Sequence, residues 1–151
     1  MYFTAPQSAL TVRVFSRRLP TTRRGARLAR QLTVGELRRW GIPAAVTDRA
    51  EVVVAELAAN AALHARVRDR GFRLTLTYDT AFGALRLEVT DARGDLPLVP
   101  PEEAPGEELP EDGGESGRGL LLVGALADRW GSTPCPPSSK TVWAELDSGA
   151  D

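Results

Sequence analysis

The spacing of apolar side chains predicts a strand and then a long helix at the start of the chain. Residues 10–15 alternate between apolar and polar positions, which is typical of a half-buried strand. Thr21 or Thr22 can cap a helix that runs to about Trp40. Apolar residues recur along this helix at helical spacing, so we expect one of its faces to pack on a core. The sequence Gly-Ile-Pro at 41–43 ends it.

A second helix and a set of short strands follow. Asp48 with Glu51 three residues later resembles a capping box, so we expect a helix from there to about Val67. Alternating segments bounded by turn residues are predicted as further strands: 72–78, 85–90, 129–130 and 140–146. Apolar periodicity over 120–128 predicts a third helix. Two proline-rich segments without an apolar period are expected to be loops: 92–118 and 132–139.

The order of these elements indicates the fold class. Strand, two helices, two strands, loop, helix and two strands do not alternate regularly. This order predicts an α+β fold, a two-layer α/β sandwich with helices on one face of a mixed sheet. The chain has 151 residues, so we expect a single domain over 1–151.

Basic and acidic residues are concentrated in different parts of the chain. Residues 1–40 contain nine arginines against Glu36 alone, and residues 91–115 contain nine acids against Arg93 alone. A basic segment can bind nucleic acid or an acidic protein partner. No aromatic side chains are interleaved with the arginines for base stacking, so a solvated helix face and a solvated loop are the simpler interpretation.

Several features favour a cytoplasmic protein that does not enter a membrane. The sequence has no apolar stretch of about 18 residues or more. Its first residues lack the continuous apolar core of a secretory signal. Cys135 is the single cysteine, so no internal disulfide can form.

A polar stripe on the second helix is the first candidate for chemistry. Glu56, Asn60 and His64 recur every four residues, which places them on one helix face. Val53 and Leu57 lie three and four residues from this stripe and are expected to pack toward the core. A carboxylate and an amide at such an edge are costly unless they are bonded. A magnesium ion and phosphates would bond them.

Glycines before the third helix are a second, weaker candidate. Gly117 and Gly119 let backbone N–H groups approach an anion at a helix N-terminus. The sequence contains neither a P-loop motif nor the third glycine of a dinucleotide-binding fingerprint.

Taken together, these motifs resemble those of the GHKL (Bergerat-fold, histidine-kinase-like) ATPases. The chain is most similar to the small stand-alone ATP-binding proteins of the anti-sigma-factor serine-kinase type, over residues 10–147. Four stretches carry the resemblance: Glu56-Leu-Ala-Ala-Asn60 with His64 (N box), Asp91-Ala-Arg-Gly94 (G1 box), Gly117-Arg-Gly119-Leu120 (G2 box) and Lys140-Thr141 on the last strand.

The resemblance implies a role for each matching residue in binding ATP and Mg²⁺. Asn60 would bind Mg²⁺ through its side-chain oxygen, and Glu56 would act as the catalytic base on a water or a serine hydroxyl. Asp91 would accept a hydrogen bond from the adenine amino group, and Gly94 would let the backbone approach the base. Thr141 would reach the adenine side through water.

The resemblance also implies a phosphate site and a lid. Gly117, Gly119 and the start of the helix at Leu120 would contact phosphates, with Arg118 as a charge partner. Residues 95–116 would form the ATP lid.

Each of these positions also has a structural interpretation. Glu56 and Asn60 could be a solvated helix edge, Asp91 and Gly94 a plain turn, and the two later glycines a hinge. His64 fits helix packing better than catalysis. Lys140 could be a solvated strand end.

The leading functional hypothesis is an ATP-dependent protein serine/threonine kinase in a partner-switching system. It would bind a sigma factor and phosphorylate an anti-anti-sigma protein of the STAS type. The alternative is a non-catalytic, ATP-dependent module that sequesters a partner. Nucleic-acid binding through the arginine-rich first helix is the weakest hypothesis, and a homodimer stays open.

Overall fold

The computed structural model describes residues 11–63, 71–91, 120–135 and 139–149. Their elements follow the predicted order: β1 (Val12–Leu19), α1 (Arg23–Arg39), α2 (Ala44–Leu63), β2 (Phe72–Asp79), β3 (Ala84–Asp91), α3 (120–126), β4 (Arg129–Cys135) and β5 (Ser139–Asp147).

The five strands form one sheet in the order β1-β2-β3-β5-β4. The predicted α+β fold with helices on one face of a sheet is confirmed. In place of the expected mixed sheet, all four pairings of the described strands are antiparallel. Short connections account for two of these pairings, β2 with β3 and β4 with β5, because parallel neighbours need a long crossover between them.

The core lies between the helices and one face of the sheet. Every second residue of β3 is buried, and the intervening residues are partly exposed. The same alternation in β5 marks the same covered face. Fully buried side chains come from both layers: Leu37, Val53, Val54 and Leu57 from the helices, and Phe72, Leu74, Leu76, Leu85, Leu87 and Leu146 from the strands.

Helix α1 begins as its capping residue predicts. The Thr22 hydroxyl accepts a hydrogen bond from the Gly25 N–H at 3.0 Å, and Trp40 is the C-cap. Gly41 then adopts a φ of 75°, which glycine reaches without strain, and the chain turns toward α2.

The predicted start of the second helix was wrong. Helix α2 begins at Ala44, directly after Pro43, so Asp48 and Glu51 lie inside the helix and do not form a capping box. The N–H groups of residues 46 and 47 bond instead to the Pro43 carbonyl at 3.0 Å. The described part of α2 ends at Leu63, and the predicted continuation to Val67 lies outside the described residues.

Two strands are longer than the sequence pattern indicates. β1 continues to Leu19, where it pairs with Phe72 of β2. β4 continues to Cys135 and so enters the segment that was predicted as a loop. Pro134 is compatible with this strand because β4 is at the edge of the sheet, where a missing N–H is tolerated.

None of the described helices is both long enough and apolar enough to cross a membrane.

Candidate functional site

A small cavity lies between α2 and the adjoining ends of β3 and β5. Its volume is about 30 Å³, which is enough for at least one water molecule. Four apolar and three polar side chains line it: Leu57, Ala61, Val89 and Val142, with Asn60, Asp91 and Lys140. The cavity therefore combines an apolar wall with an amide, a carboxylate and an ammonium group.

The carboxylate at the cavity belongs to Asp91 of strand β3. Val89 and Asp91 are two residues apart, so their side chains point to the same face of the sheet. Asp91 is the last residue of the strand, and only 8% of it is exposed. A carboxylate with so little solvent is a strong acceptor for a donor that enters the cavity.

The amide at the cavity belongs to Asn60 of helix α2. Leu57, Asn60 and Ala61 follow at the spacing that places residues on one helix face. Leu57 is 1% exposed and anchors this face in the core, while Asn60 is half-buried at the cavity. Glu56 is half-buried one turn before Asn60 and is not among the lining residues.

Strand β5 brings Lys140 to the cavity instead of Thr141. Lys140 and Val142 both line it. Thr141 lies between them and points to the opposite face, where its Oγ1 is 2.7 Å from Thr90 Oγ1. Thr141 is therefore not among the residues that line the cavity.

Sequence reasoning missed Lys140 as a site residue, although a signal was present. Val142, Ala144 and Leu146 are the buried residues of β5. Because side chains alternate along a strand, the residue two positions before Val142 faces the same side. Lys140 occupies that position, next to Ser139, which is the first residue that the structure describes after 136–138.

The remaining predicted site residues are not at the cavity or lie outside the described residues. Leu120 is half-buried in α3 and does not line the cavity. The described residues do not include His64, Gly94, Gly117, Arg118, Gly119 or the predicted lid at 95–116.

The opposite face of the sheet carries a network of charged side chains. The Arg86 guanidinium lies 4.3 Å from the Trp143 ring centroid and bonds Glu88 and Glu145 at 2.6 and 2.7 Å. Arg129 also donates to Glu145, at 2.8 Å. The hydrogen bond from Arg129, and then that from Arg86, lowers the pKa of Glu145 despite its partial burial. This network stabilises the sheet on the side away from the cavity.

One donor atom at the cavity suits magnesium. The Asn60 amide oxygen is a ligand of the kind that Mg²⁺ binds, with water and phosphate oxygens to complete its coordination. Within the described segments, no group of three or more His, Cys, Asp or Glu side chains is placed to bind a metal ion.

Comparison with known proteins identifies the family. The family model for the histidine kinase-like ATPase domain matches residues 19–143. The chain therefore belongs to the histidine kinase-like ATPase family, as the motifs had indicated. No curated protein is significantly similar to the sequence.

Two solved structures share the fold. One is the chain with the RsbU and RsbW domains of Rv1364c from Mycobacterium tuberculosis, at a TM-score of 0.65 and 18% identity. The match covers 89% of the present chain but 32% of that chain, so the present chain spans about a third of its length. The other is a chain of the SiaB-SiaC complex from Pseudomonas aeruginosa, at a TM-score of 0.63 and 11% identity, covering 93% and 94% of the two chains.

Proposed function

We propose that this protein is an ATP-binding regulator that phosphorylates a serine on a protein partner in a partner-switching system. One observation carries the proposal. Asn60 and Asp91, which come from different elements, line the same cavity. The family match supports ATP as the nucleotide.

The apolar wall of the cavity can contact a nucleotide base, with only the edge of the ring entering the cavity itself, whose volume is about 30 Å³. Leu57, Ala61, Val89 and Val142 offer apolar contact for the faces of a flat ring. Asp91 accepts a hydrogen bond from the amino group of adenine at the ring's edge. Because Asp91 is buried, this hydrogen bond competes little with water.

Asn60 and Glu56 would act on the phosphate side of the nucleotide. Asn60 would hold Mg²⁺, which neutralises phosphate charge when bound. Glu56, one helical turn before Asn60, would accept the proton of a serine hydroxyl. The serine oxygen then bonds to the γ-phosphorus, the bond from that phosphorus to the bridging oxygen breaks, and ADP leaves.

Helix α1 offers a surface for the protein partner. Besides Arg30, five arginines of this helix are exposed: Arg23, Arg24, Arg27, Arg38 and Arg39. None of them forms an ion pair within the described residues, whereas Arg30 contacts Glu51 at 3.6 Å. Unpaired arginines attract an acidic surface over the range set by the Debye length. One structure with this fold is a complex of two proteins, SiaB and SiaC. We propose a sigma factor and a STAS-type anti-anti-sigma protein as the partners.

The unpaired arginines also favour a second candidate function. A surface that binds an acidic partner needs no phosphoryl transfer, so the protein could be a non-catalytic module that holds its partner when ATP is bound. Loss of Glu56 would then leave partner binding unchanged.

Labelled ATP separates the two candidates. The wild type is incubated with Mg²⁺, ATP labelled at the γ-phosphate and each candidate anti-anti-sigma protein from the same genome. Glu56→Gln is compared with Glu51→Gln, a control on the same helix that lies nine residues before Asn60. The kinase proposal predicts labelled serine with the wild type and with Glu51→Gln, and none with Glu56→Gln. Equal labelling by Glu56→Gln would contradict the role of Glu56. ATP-dependent complexes without any labelling would favour the binding module.

A further inference from the structure

Lys140 is an amine at the cavity whose function the proposal above does not use. It is the only lysine of the chain. Its side chain lines the cavity together with Asn60 and Asp91. In the described part of the chain, Lys140 forms no ion pair and no side-chain hydrogen bond, so its three N–H donors are available to a ligand.

We propose that Lys140 donates a hydrogen bond to an acceptor atom of the nucleotide base, and so reads the base together with Asp91. This inference rests on the proposed nucleotide site. It assigns to Lys140 the position on β5 that the sequence motif had suggested for Thr141.

The pairing of β3 with β5 places the two charged residues side by side. Thr90 and Thr141 are the last paired residues at this end of the ladder. The next residue on each strand is Asp91 on β3 and Lys140 on β5. Side chains alternate along strands, so both turn from the threonine face to the cavity face. One carboxylate and one ammonium group thus lie at neighbouring positions on the same face of the sheet.

A base fits this pair of charges better than a phosphate does. The rest of the lining is apolar, apart from Asn60 on the helix side. A phosphate beside Asp91 would be repelled by its carboxylate. An adenine edge presents an amino donor beside ring-nitrogen acceptors, which matches an acceptor and a donor on the protein. Lys140 therefore contacts the base, and the phosphates lie elsewhere.

Deaza analogues of ADP measure this contact directly. Each analogue lacks one ring-nitrogen acceptor, at position 1, 3 or 7 of the purine. Titration calorimetry is run with the wild type, with Lys140→Met and with Arg73→Met. The control removes a positive charge from the opposite face of the sheet, where Arg73 bonds Ser16 at 3.1 Å.

The inference predicts a loss of affinity that depends on Lys140. The wild type should bind one deaza analogue about tenfold more weakly than ADP, as expected for one hydrogen bond from a charged donor. Lys140→Met should bind ADP about tenfold more weakly than the wild type and should not discriminate against that analogue. Arg73→Met should behave like the wild type. Equal discrimination by Lys140→Met and the wild type would overturn the inference but leave the nucleotide site intact. A wild type that binds no ADP would overturn both.

The single lysine allows a second readout on the unmodified protein. An amine-acylating reagent modifies Lys140 and the N-terminal amine, which peptide mass spectrometry distinguishes. Saturating Mg-ADP should slow the acylation of Lys140 several-fold, and inorganic pyrophosphate should not slow it. Protection by pyrophosphate would place Lys140 at the phosphates and contradict the inference. No protection by saturating Mg-ADP would show that Lys140 is a solvated strand end.

Discussion

Thr90 and Thr141 hydrogen-bond across β3 and β5, with their hydroxyl oxygens 2.7 Å apart, on the sheet face opposite the cavity. The strand pairing to which this contact belongs sets which residues face the cavity. Their neighbours Asp91 and Lys140 turn to the other face and line the cavity. A shift of the pairing by one residue would turn the side chains of the shifted strand to the opposite face of the sheet.

Replacing Thr141 tests this assignment. Thr141→Val removes the hydrogen bond to Thr90 and should lower the free energy of unfolding by about 1 kcal/mol. It should leave the affinity for Mg-ADP unchanged, because the side chain points away from the cavity. Urea unfolding and calorimetry measure the two effects. A large loss of affinity without a loss of stability would show that Thr141 contacts the nucleotide.

Replacing either of two glycines of α1 by alanine should change the free energy of unfolding, in opposite directions at the two positions. A Cβ atom at Gly25 would lie 1.8 Å from the Pro20 carbonyl oxygen, so the backbone would have to move. Gly25→Ala should therefore destabilise the protein by about 2–3 kcal/mol or more. A Cβ atom at Gly35 meets nothing within 4 Å, and Gly35→Ala should stabilise the helix by about 0.5–1 kcal/mol. Urea unfolding of both variants checks the pair, and equal effects would contradict the close approach of Gly25 to Pro20.

The charged network on the open face should make stability depend on pH. The hydrogen bond from Arg129 lowers the pKa of Glu145 below its usual value of 4.5 in the folded state. A group with a lowered folded pKa stabilises the protein above its unfolded pKa, and this contribution is lost as the pH falls through the folded value.

The melting temperature should therefore fall as the pH drops below about 4.5. Glu145→Gln and Arg129→Met should each make this fall less steep, since both remove the charge pair. Thermal melts at several pH values check the prediction. If the melting temperature of both variants fell with pH as steeply as that of the wild type, the ion pair would not stabilise the folded state.

Much of the architecture could be predicted because its pattern is local. The alternation in β3 and the Thr22 cap are readable from a few neighbouring residues. The start of α2 was missed because Asp48 and Glu51 have the sequence spacing of a capping box, while the helix begins four residues before Asp48, at Ala44. The end of β4 was missed because Pro134 reads as a loop residue, whereas its pairing with Lys140 depends on its edge position.

The candidate site was predicted in part for the same reason. Asn60 and Asp91 belong to recognisable motifs, and both line the cavity. The assignment of Thr141 over Lys140 depends on strand register, which is set by contacts across the sheet and not by the local sequence. The motif lies at the end of β5 that adjoins the cavity, but its threonine does not line the cavity.

Substitutions of Glu56 and Asn60 should have different effects, because Glu56 is proposed to act in catalysis and Asn60 in metal binding. Asn60→Ala should lower the affinity for ADP in the presence of Mg²⁺ and leave it unchanged in the presence of EDTA, because the amide oxygen acts through the metal. Glu56→Gln should leave both affinities unchanged, since it acts on the attacking hydroxyl and not on the bound nucleotide. Titration calorimetry with and without Mg²⁺ measures both. The same loss in both variants would indicate that Glu56 has a structural role.

The binding of Mg-ADP to Asp91→Asn is the most direct test of the central claim. The substitution keeps the shape of the side chain but removes the charge of the buried acceptor. Calorimetry should show that the wild type and Thr90→Val, a control on the opposite face, bind Mg-ADP with similar affinity. Asp91→Asn should bind about 10- to 100-fold more weakly, as expected for a charged hydrogen bond with little solvent around it. A wild type that binds no Mg-ADP, or an Asp91→Asn protein that binds it equally well, would contradict the assignment of this cavity as the nucleotide site.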